Sequence, residues 1–350
     1  MLSYLTSSAI KELREHIEAY KKAGKTVFVL CDTNTQKHCL PVFQKYFSLD
    51  FENNMLVMPA GEANKNIQTA TALWQELLDK NADRNSVLIC LGGGVVCDMG
   101  GFVAATFKRG IEYLFVPTTL MAQVDACIGG KNAVNLGGIK NQIGLFHEPE
   151  LVFTIIEFLE TLPEREILSG FAEMLKHGLI ADQVYWRKLI KIHDFSQITQ
   201  SELIRKSIHI KTAICGVDMF DIGERKKLNF GHSIGHALES FALLEGRDLS
   251  HGESVALGMM AEADISCQKN LITENELALI TSELSRFFTP FPIENKDYDK
   301  ILFYLQKDKK KIDNKLNFTL LNAIGKVAIN QQVSQNEILQ SIENLRKIKA

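Results

Sequence analysis

Apolar positions recur at helical spacing over residues 8–23, where Ile10, Leu13, Ile17 and Tyr20 share one face. The run 26–30 that follows is almost wholly apolar and predicts a buried strand, ending in Asp32-Thr33-Asn34. Next come a helix around 36–47, an apolar segment at 55–58, the stretch Gly61-Glu62-Ala63-Asn64-Lys65 and a helix over roughly 67–80. A strand at 86–91 opens directly into Gly92-Gly93-Gly94. Strands alternating with helices predict a mostly parallel sheet with helices on both faces. Residues 114–147 lack clean periodicity and read as polar loops rich in glycine. Past Pro149 the spacing turns helical, beginning at Thr161-Leu162-Pro163-Glu164-Arg165-Glu166, with proline in the first turn and acids at the positive helix end. Helical spacing continues to about residue 290, shorter apolar runs occupy 299–332, and a last helix covers about 334–348. The change of pattern predicts a boundary near residue 150, with an α/β domain over 1–150 and a mainly helical domain over 151–350.

Length supports that division, because 350 residues exceed one ordinary core. Charge is balanced at 39 basic and 42 acidic residues, so no cationic excess exists to hold the phosphates of a nucleic acid. No apolar run approaches the length that spans a bilayer, and no membrane partner is expected. The start Met1-Leu2-Ser3-Tyr4-Leu5 lacks a charged region followed by an apolar one, which points away from export. The seven cysteines (31, 39, 90, 97, 127, 215, 267) are odd in number and form no Cys-x-x-Cys pair. Reduced thiols packing as small apolar residues in a cytoplasmic protein are therefore expected.

Candidate chemistry gathers in the stretch from Arg225 to Glu239, followed by Leu249-Ser250-His251-Gly252-Glu253. On one continuous helix His232 and His236 lie a turn apart, and Arg225 and Asn229 extend the same face with charged and amide hydrogen bonds. His251 arrives from a separate element. Gly231, Gly235 and Gly252 crowd these histidines with small residues, which permits close approach of a ligand or of neighbouring backbone. Glu173 and Lys176 sit three apart among Phe171, Ala172, Met174 and Leu175, so the pair is expected to be buried rather than a surface ion pair. A buried carboxylate requires a cation, which makes Glu173 the third member of a three-ligand zinc site with His232 and His251. In the first domain the glycine triplet is read either as a pyrophosphate-binding strand–helix junction or as a plain tight turn. Asp32 suits a ribose hydroxyl or a helix N-cap. Lys131, Asn135, Lys140 and Asn141, with Arg109 upstream, are either a solvated surface or a set of contacts for an anionic, hydroxylated substrate.

With these residues in place, the chain resembles the 3-dehydroquinate synthases of the sugar-phosphate cyclase superfamily. Six blocks in order carry the resemblance. They are Gly61-Glu62-x-x-Lys65; Gly92-Gly93-Gly94-Val95-Val96-x-Asp98; Arg109-Gly110 with Pro117-Thr118-Thr119; Gly129-Gly130-Lys131 with Lys140-Asn141; Ala172-Glu173-x-x-Lys176; and the His232/His251 region. The resemblance implies a Rossmann-like NAD-binding domain followed by an α-helical metal- and substrate-binding domain. It implies a divalent cation, Zn2+ or Co2+, on Glu173, His232 and His251. It places Asp32, Asn34, Glu62, Lys65, Gly93, Gly94, Asp98, Thr118 and Thr119 at NAD, with Asp125, Lys131, Lys140, Thr161, Leu162 and Glu166 at further positions near cofactor or substrate. Substrate would be held by Arg109, Lys131, Asn141, Lys176, Lys211, Arg225, Asn229, His236 and one lysine of the pair Lys309/Lys310, with Lys310 taken as the candidate. Arg109 would come from the partner subunit of a homodimer.

The reaction so implied converts 3-deoxy-D-arabino-heptulosonate 7-phosphate to 3-dehydroquinate and phosphate, a step of the shikimate pathway. It runs through transient NAD-dependent oxidation at C5, phosphate elimination, re-reduction, ring opening and intramolecular aldol closure. His236 is expected to shuttle the proton of the C5 hydroxyl, as imidazole titrates near working pH. The chain departs from the family's usual residues at Cys97, Ala126, Asn132 and Asp221. Alternatives are a cyclase making 2-deoxy-scyllo-inosose or a metal-dependent polyol dehydrogenase. The pattern Glu224-Arg225-x-x-Leu228-Asn229 favours the heptulosonate substrate.

Overall fold

The computed structural model describes residues 2–4, 9–137, 139–308 and 316–348. The Lys309/Lys310 pair lies outside them. The chain divides into two compact units, one of Met1–Ile167 with Thr199–Thr212, the other of Leu168–Ile198 with Ala213–Ala350. The first unit thus runs past residue 150 and takes back a later segment.

The strands of the first unit are β1 (Leu2–Tyr4), β2 (Val27–Asp32), β3 (Met55–Met58), β4 (Val87–Gly92), β5 (Glu112–Pro117), β6 (Lys131–Leu136), β7 (Ile139–Phe146) and β8 (Leu151–Phe153). Six of them form a sheet in the order β1-β8-β5-β4-β2-β3, with every neighbouring pair parallel. Helices α1 (Ala9–Lys22), α2 (Thr33–His38), α3 (Leu40–Tyr46), α4 (Ile67–Asp79) and α5 (Gly94–Thr106) cover it. The strand sequences explain this layering. Val27, Val29 and Cys31 belong to one core with α1 and α3, while Phe28 and Leu30 belong to another with α4 and α5. Because successive side chains point to opposite faces, a strand covered on both sides must be apolar at every position. All six residues of β2 and of β4 are accordingly buried.

Two expectations are corrected here. The helix expected at 36–47 is two short helices broken at Cys39, with Pro41 in the first turn of α3. Proline supplies no N–H to a continuing helix and its ring crowds the preceding turn. The polar segment 114–147 is not loop throughout: its start completes β5, and β6 and β7 pair as an antiparallel hairpin. Most of β7 is exposed, and only Ile139, Ile143 and Leu145 alternate with other residues, a weak strand signal.

The second unit contains the later part of α6 (Glu164–Ala181), α7 (Gln183–Leu189), the end of α8 (Ser201–Val217), α9 (His232–Leu244), α10 (His251–Gln268), α11 (Glu274–Ser285), α12 (Tyr298–Asp308) and α13 (Gln335–Arg346). It also holds an antiparallel hairpin of β9 (Leu316–Ala323) and β10 (Lys326–Val333). Helix α10 is the central element, packed by α9, α11, α13 and β9 and buried around its circumference from Gly252 to Ser266. Among the described residues no helix is long and apolar enough to cross a membrane. Among the described residues no cysteine forms a disulfide, and six of the seven are buried, in keeping with a packing role.

Candidate metal centre and cofactor residues

Three elements of the second unit bring Glu173, His232 and His251 together. Their meeting depends on backbone contact that only glycine permits. A Cβ on Gly252 would lie 2.2 Å from the Ser169 Cα, so the start of α10 rests directly on α6, one turn before Glu173. The Gly252 N–H donates to the Ser169 hydroxyl at 3.0 Å. A Cβ on Gly258 would lie 1.9 Å from the Gly231 carbonyl oxygen, which brings α10 against the start of α9. Helix α10 begins at His251 because Ser250 and Glu253 form a reciprocal capping box. Helix α9 begins at His232 because Gly231 takes a left-handed conformation, φ +79°.

That glycine also corrects the single helix expected from Arg225 to His236. Arg225 and Asn229 lie on a separate 3-10 helix, Glu224–Asn229, and do not share a helical face with the histidines. Arg225 is held there by its own network, donating from Nη1 to the Met219 carbonyl at 2.7 Å. Asp218 accepts from the backbone N–H groups of Ile222, Gly223 and Arg225. Asp221, at φ +59°, belongs to the same bend.

At the centre, Glu173 is fully buried, with its Oε1 3.4 Å from His232 Nε2 and 3.6 Å from His251 Nε2. Neither carboxylate oxygen has a well-formed hydrogen bond, although Lys176 Nζ lies 2.5 Å from Oε2. The far side of each ring is already engaged. His232 Nδ1 faces the Phe230 carbonyl at 3.2 Å, and His251 Nδ1 faces Glu239 at 3.4 Å. An Nδ1–H donated to oxygen leaves the Nε2 lone pair directed at the carboxylate. Glu173 Oε1 and the two Nε2 atoms then converge within reach of a single ion, and once the His251 proton is displaced they form the donor set of a divalent cation. The residues present fit Zn2+ or Co2+. His236, one turn along α9, lies beside the cluster with its ring centroid 5.1 Å from that of His232.

The charges agree with a cation site. Burial alone would raise the Glu173 pKa, but the Lys176 ammonium and the histidines hold it well below the usual carboxylate range. Burial and Lys176 depress His232 to about 4, so this imidazole is neutral at working pH. Burial would also lower His251, but its two carboxylate partners, Glu173 and Glu239, raise it to about 9. In the cation-free protein a raised histidine pKa adds stability below pH 6.5 that is lost as pH rises through about 9. Cation binding must displace the His251 proton. Apparent affinity for Zn2+ or Co2+ should therefore climb roughly tenfold per pH unit between about 6 and 9 and then level off. Chelator competition at several pH values checks this, and an affinity flat from pH 6.5 to 8.5 would contradict it.

In the first unit the register lines up the expected cofactor residues. Gly92 pairs with Pro117 and Asp32 with Met58, at the C-terminal ends of adjacent strands. Chain order reverses between β2 and β4, the crevice where parallel sheets bind ligands. The glycine triplet is a tight turn of dense packing. A Cβ on Gly92 would meet Val96 at 2.5 Å and one on Gly93 would meet Thr119 at 3.0 Å. No side chain caps α5 at Gly93, leaving its positive end open to an anion. Thr118 N donates to the Gly92 carbonyl at 3.0 Å, fixing the two segments together. Two departures sit in this packing: Cys97 is buried behind the turn, and the Ala126 Cβ lies 3.3 Å from a Cβ built on Gly94.

Asp32 caps α2 through one oxygen, Oδ1, which accepts from Asn34 N, Thr35 N and Thr35 Oγ1. The N-cap is thus present, and Oδ2 makes no hydrogen bond among the described residues. Asn34 is exposed beside it. A polar network joins Glu62, Lys65, Asp98 and Asn141. Buried Lys65 pairs with Asp98 and donates to Asn141 Oδ1 at 2.7 Å. Burial raises the Asp98 pKa, with Lys65 opposing. Asn135 links the network, donating to Glu62 Oε1 at 2.8 Å and accepting from Asn141 N at 2.8 Å. Lys211 pairs with Asp125 at 2.6 Å. Lys131 is exposed on the hairpin with its ammonium 5.9 Å from the Phe146 ring centroid, and Lys140 is half-buried on β7. Asn132, another departure, turns into the core, where its amide donates to the Tyr113 hydroxyl at 3.1 Å and to the His147 carbonyl at 2.7 Å.

Other expected residues are not drawn in. Thr161, Leu162 and Glu166 flank the start of α6, and none makes a side-chain hydrogen bond to the rest of the set among the described residues. Arg109 is exposed at φ +72°, beside Lys108 at φ +49° and Gly110 at φ +112°. Three left-handed residues in succession are costly, at about 1–2 kcal/mol for each non-glycine, and they turn the arginine out of the fold. One residue of the site, Glu239, went unassigned in the sequence, and Asn135 was given no partner there. Asn135 stood among the polar loop residues, and Glu239 follows His232 by two helical turns, a spacing that marks it as a neighbour of the same face.

Comparisons with known proteins bear on this arrangement. A family model described as 3-dehydroquinate synthase N-terminal matches residues 55–169, and one described as 3-dehydroquinate synthase C-terminal matches 170–311. The 3-dehydroquinate synthase of Parabacteroides distasonis is 38% identical over 341 residues, covering 96% of each chain. The solved 2-deoxy-scyllo-inosose synthase complexed with carbaglucose-6-phosphate, NAD+ and Co2+ superposes with a TM-score of 0.79 at 26% identity, covering 91% of this chain and 90% of that one. The 2-epi-5-epi-valiolone synthase of Streptomyces hygroscopicus subsp. jinggangensis, with NAD+ and Zn2+ bound, gives 0.80 at 25% identity, covering 92% and 90%. With both halves matched by its models and relatives aligned over nearly their whole length, the chain belongs to the 3-dehydroquinate synthase family.

Proposed function

We propose that the residues described above carry the 3-dehydroquinate synthase reaction, the conversion of 3-deoxy-D-arabino-heptulosonate 7-phosphate to 3-dehydroquinate and phosphate. One observation supports the assignment most directly: a fully buried carboxylate oxygen meets the Nε2 atoms of two imidazoles, each ring held by an oxygen at its Nδ1. When bound, NAD supplies a hydride acceptor restored in each turnover, and the cation supplies a Lewis acid at adjacent hydroxyls.

Each group of side chains has its task. Glu173, His232 and His251 hold the cation, and Lys176 keeps the carboxylate ionised. His236 takes and returns the proton of the C5 hydroxyl. Asp32, Asn34, Glu62, Lys65, Gly93, Gly94, Asp98, Thr118 and Thr119 hold the dinucleotide. The open N-terminus of α5 receives its pyrophosphate, while Asp125, Lys140, Thr161, Leu162 and Glu166 complete the surroundings. Lys131, Asn141, Lys211, Arg225 and Asn229 hold the carboxylate, hydroxyls and phosphate of the substrate, with Lys310 in the same role. The first unit is the NAD-binding domain and the second the metal-binding domain. The working form is a cytoplasmic homodimer in which Arg109 serves the partner's site.

Purified enzyme given the heptulosonate phosphate with NAD and Zn2+ should release phosphate without net NADH. A stoichiometric rise at 340 nm would indicate a dehydrogenase instead. In the same assay Lys131→Ala should lower kcat/KM by about 10²-fold or more, the cost of losing a charged contact to phosphate. Its melting temperature should change little, because an exposed hairpin lysine packs little surface.

A further inference from the structure

Glu262 has no part in the proposed chemistry, yet it is fully buried in the apolar stretch of α10 that runs from Val255 to Ala263. Its carboxylate accepts from the Gly231 N–H at 2.7 Å and from the Ile234 N–H at 3.0 Å. These are the N-cap and N3 positions of α9, the two donors that a reciprocal capping box satisfies with side chains of the helix itself. Helix α9 cannot supply them locally. Gly231 is left-handed, and a Cβ there would lie 2.5 Å from Met259 Cγ and 3.0 Å from the Val255 carbonyl oxygen, so the N-cap can carry no side chain. The cap is delivered instead from α10, the helix that presents His251 at its own first turn.

We infer that Glu262 is a positioning residue for the cation site: by capping α9 from α10 it fixes the helical start from which His232 projects, relative to His251. His232 is the first residue of α9, so its ring direction follows from the conformation the cap holds. A carboxylate at this end also complements the positive end of the helix. The inference rests on the cation-site reading of Glu173, His232 and His251.

The test is Co2+ and Zn2+ affinity, measured by chelator competition, for the full-length wild type, Glu262→Gln, Glu262→Asp and Ser266→Ala. A glutamine can accept only one of the two N–H groups and turns an N–H towards the other. Glu262→Gln should bind the cation about 10- to 100-fold more weakly, the usual cost of losing a group that orients a metal ligand. At saturating cation its turnover and NAD affinity should return to within about twofold of wild type, as a positioning role requires. The milder Glu262→Asp keeps the charge, shortens the reach and should weaken binding by a smaller factor, so it remains informative if the glutamine variant does not fold. Ser266→Ala is the control for lost stability, since the serine hydroxyl bonds the Glu262 carbonyl and accepts from Leu321 N without touching α9. It should lower the melting temperature and leave affinity unchanged. Wild-type affinity in a folded Glu262 variant, or an equal affinity loss in Ser266→Ala, overturns the inference. A wild-type protein that takes up no cation overturns the site and this inference with it.

Discussion

Glu173→Gln should lower turnover by at least about 10³-fold and destabilise the protein by about 3–5 kcal/mol, although the two side chains have nearly the same shape. Both effects follow from charge. Lys176 is 1% exposed with its ammonium 2.5 Å from the Glu173 carboxylate. Removing one member of a buried pair strands the other, which costs about 3–5 kcal/mol. His251 loses at the same time one of the two carboxylates that hold its pKa up. The kinetic loss reflects the missing third donor: several kcal/mol of Lewis-acid stabilisation correspond to about 10³-fold or more in rate. Thermal denaturation and phosphate release check the two parts separately. A variant with wild-type melting temperature would contradict the buried pair, and one with wild-type turnover would contradict the ligand.

Gly258→Ala should be more damaging to the fold than any change to the ligands, though no side chain of Gly258 takes part in the site. The added methyl would stand 1.9 Å from the Gly231 carbonyl oxygen and 2.7 Å from the Gly235 nitrogen, both backbone atoms that cannot swing aside. Helices α9 and α10 would have to separate, opening the central packing of the second unit and parting His232 from His251. Losses above about 4 kcal/mol are exceptional for single substitutions, and this backbone overlap belongs among them. Gly216→Ala is the matched control, since its Cβ would meet nothing within 4 Å. A Gly258→Ala protein that melts with wild type and binds cation as tightly would show that the helices do not touch as described.

The parallel sheet was legible because its strands are covered on both faces and therefore read as unbroken apolar runs, as in 27–31 and 87–91. The meeting of Glu173, His232 and His251 was legible for a related reason. Histidines crowded by glycine, and a glutamate enclosed by Phe171, Ala172, Met174 and Leu175, are residues that make no sense as ordinary core. What escaped was set by contacts distant in sequence. The β6–β7 hairpin is tied by Asn135 to Glu62, 73 residues away, and little apolar alternation marks it. The break comes at a left-handed Gly231, where Val255 and Met259 of another helix leave no room for a side chain, and local helical spacing ran straight through it. The left-handed turn at Lys108 and Arg109 gives no compositional warning, as neither residue favours that conformation. Glu262 did leave a trace, a lone acid among small and apolar residues from Val255 to Ala263, but its partners lie 28 and 31 residues upstream.

The account stands on one cation held jointly by Glu173, His232 and His251. Titration of the cation-free protein with Co2+, followed by visible absorption, tests it most directly. Wild type should bind one equivalent with the intense spectrum of a low-coordinate nitrogen–oxygen site, and His232→Ala and His251→Ala should each lose it. One equivalent bound with an unchanged spectrum in both variants would place the metal elsewhere and contradict the account.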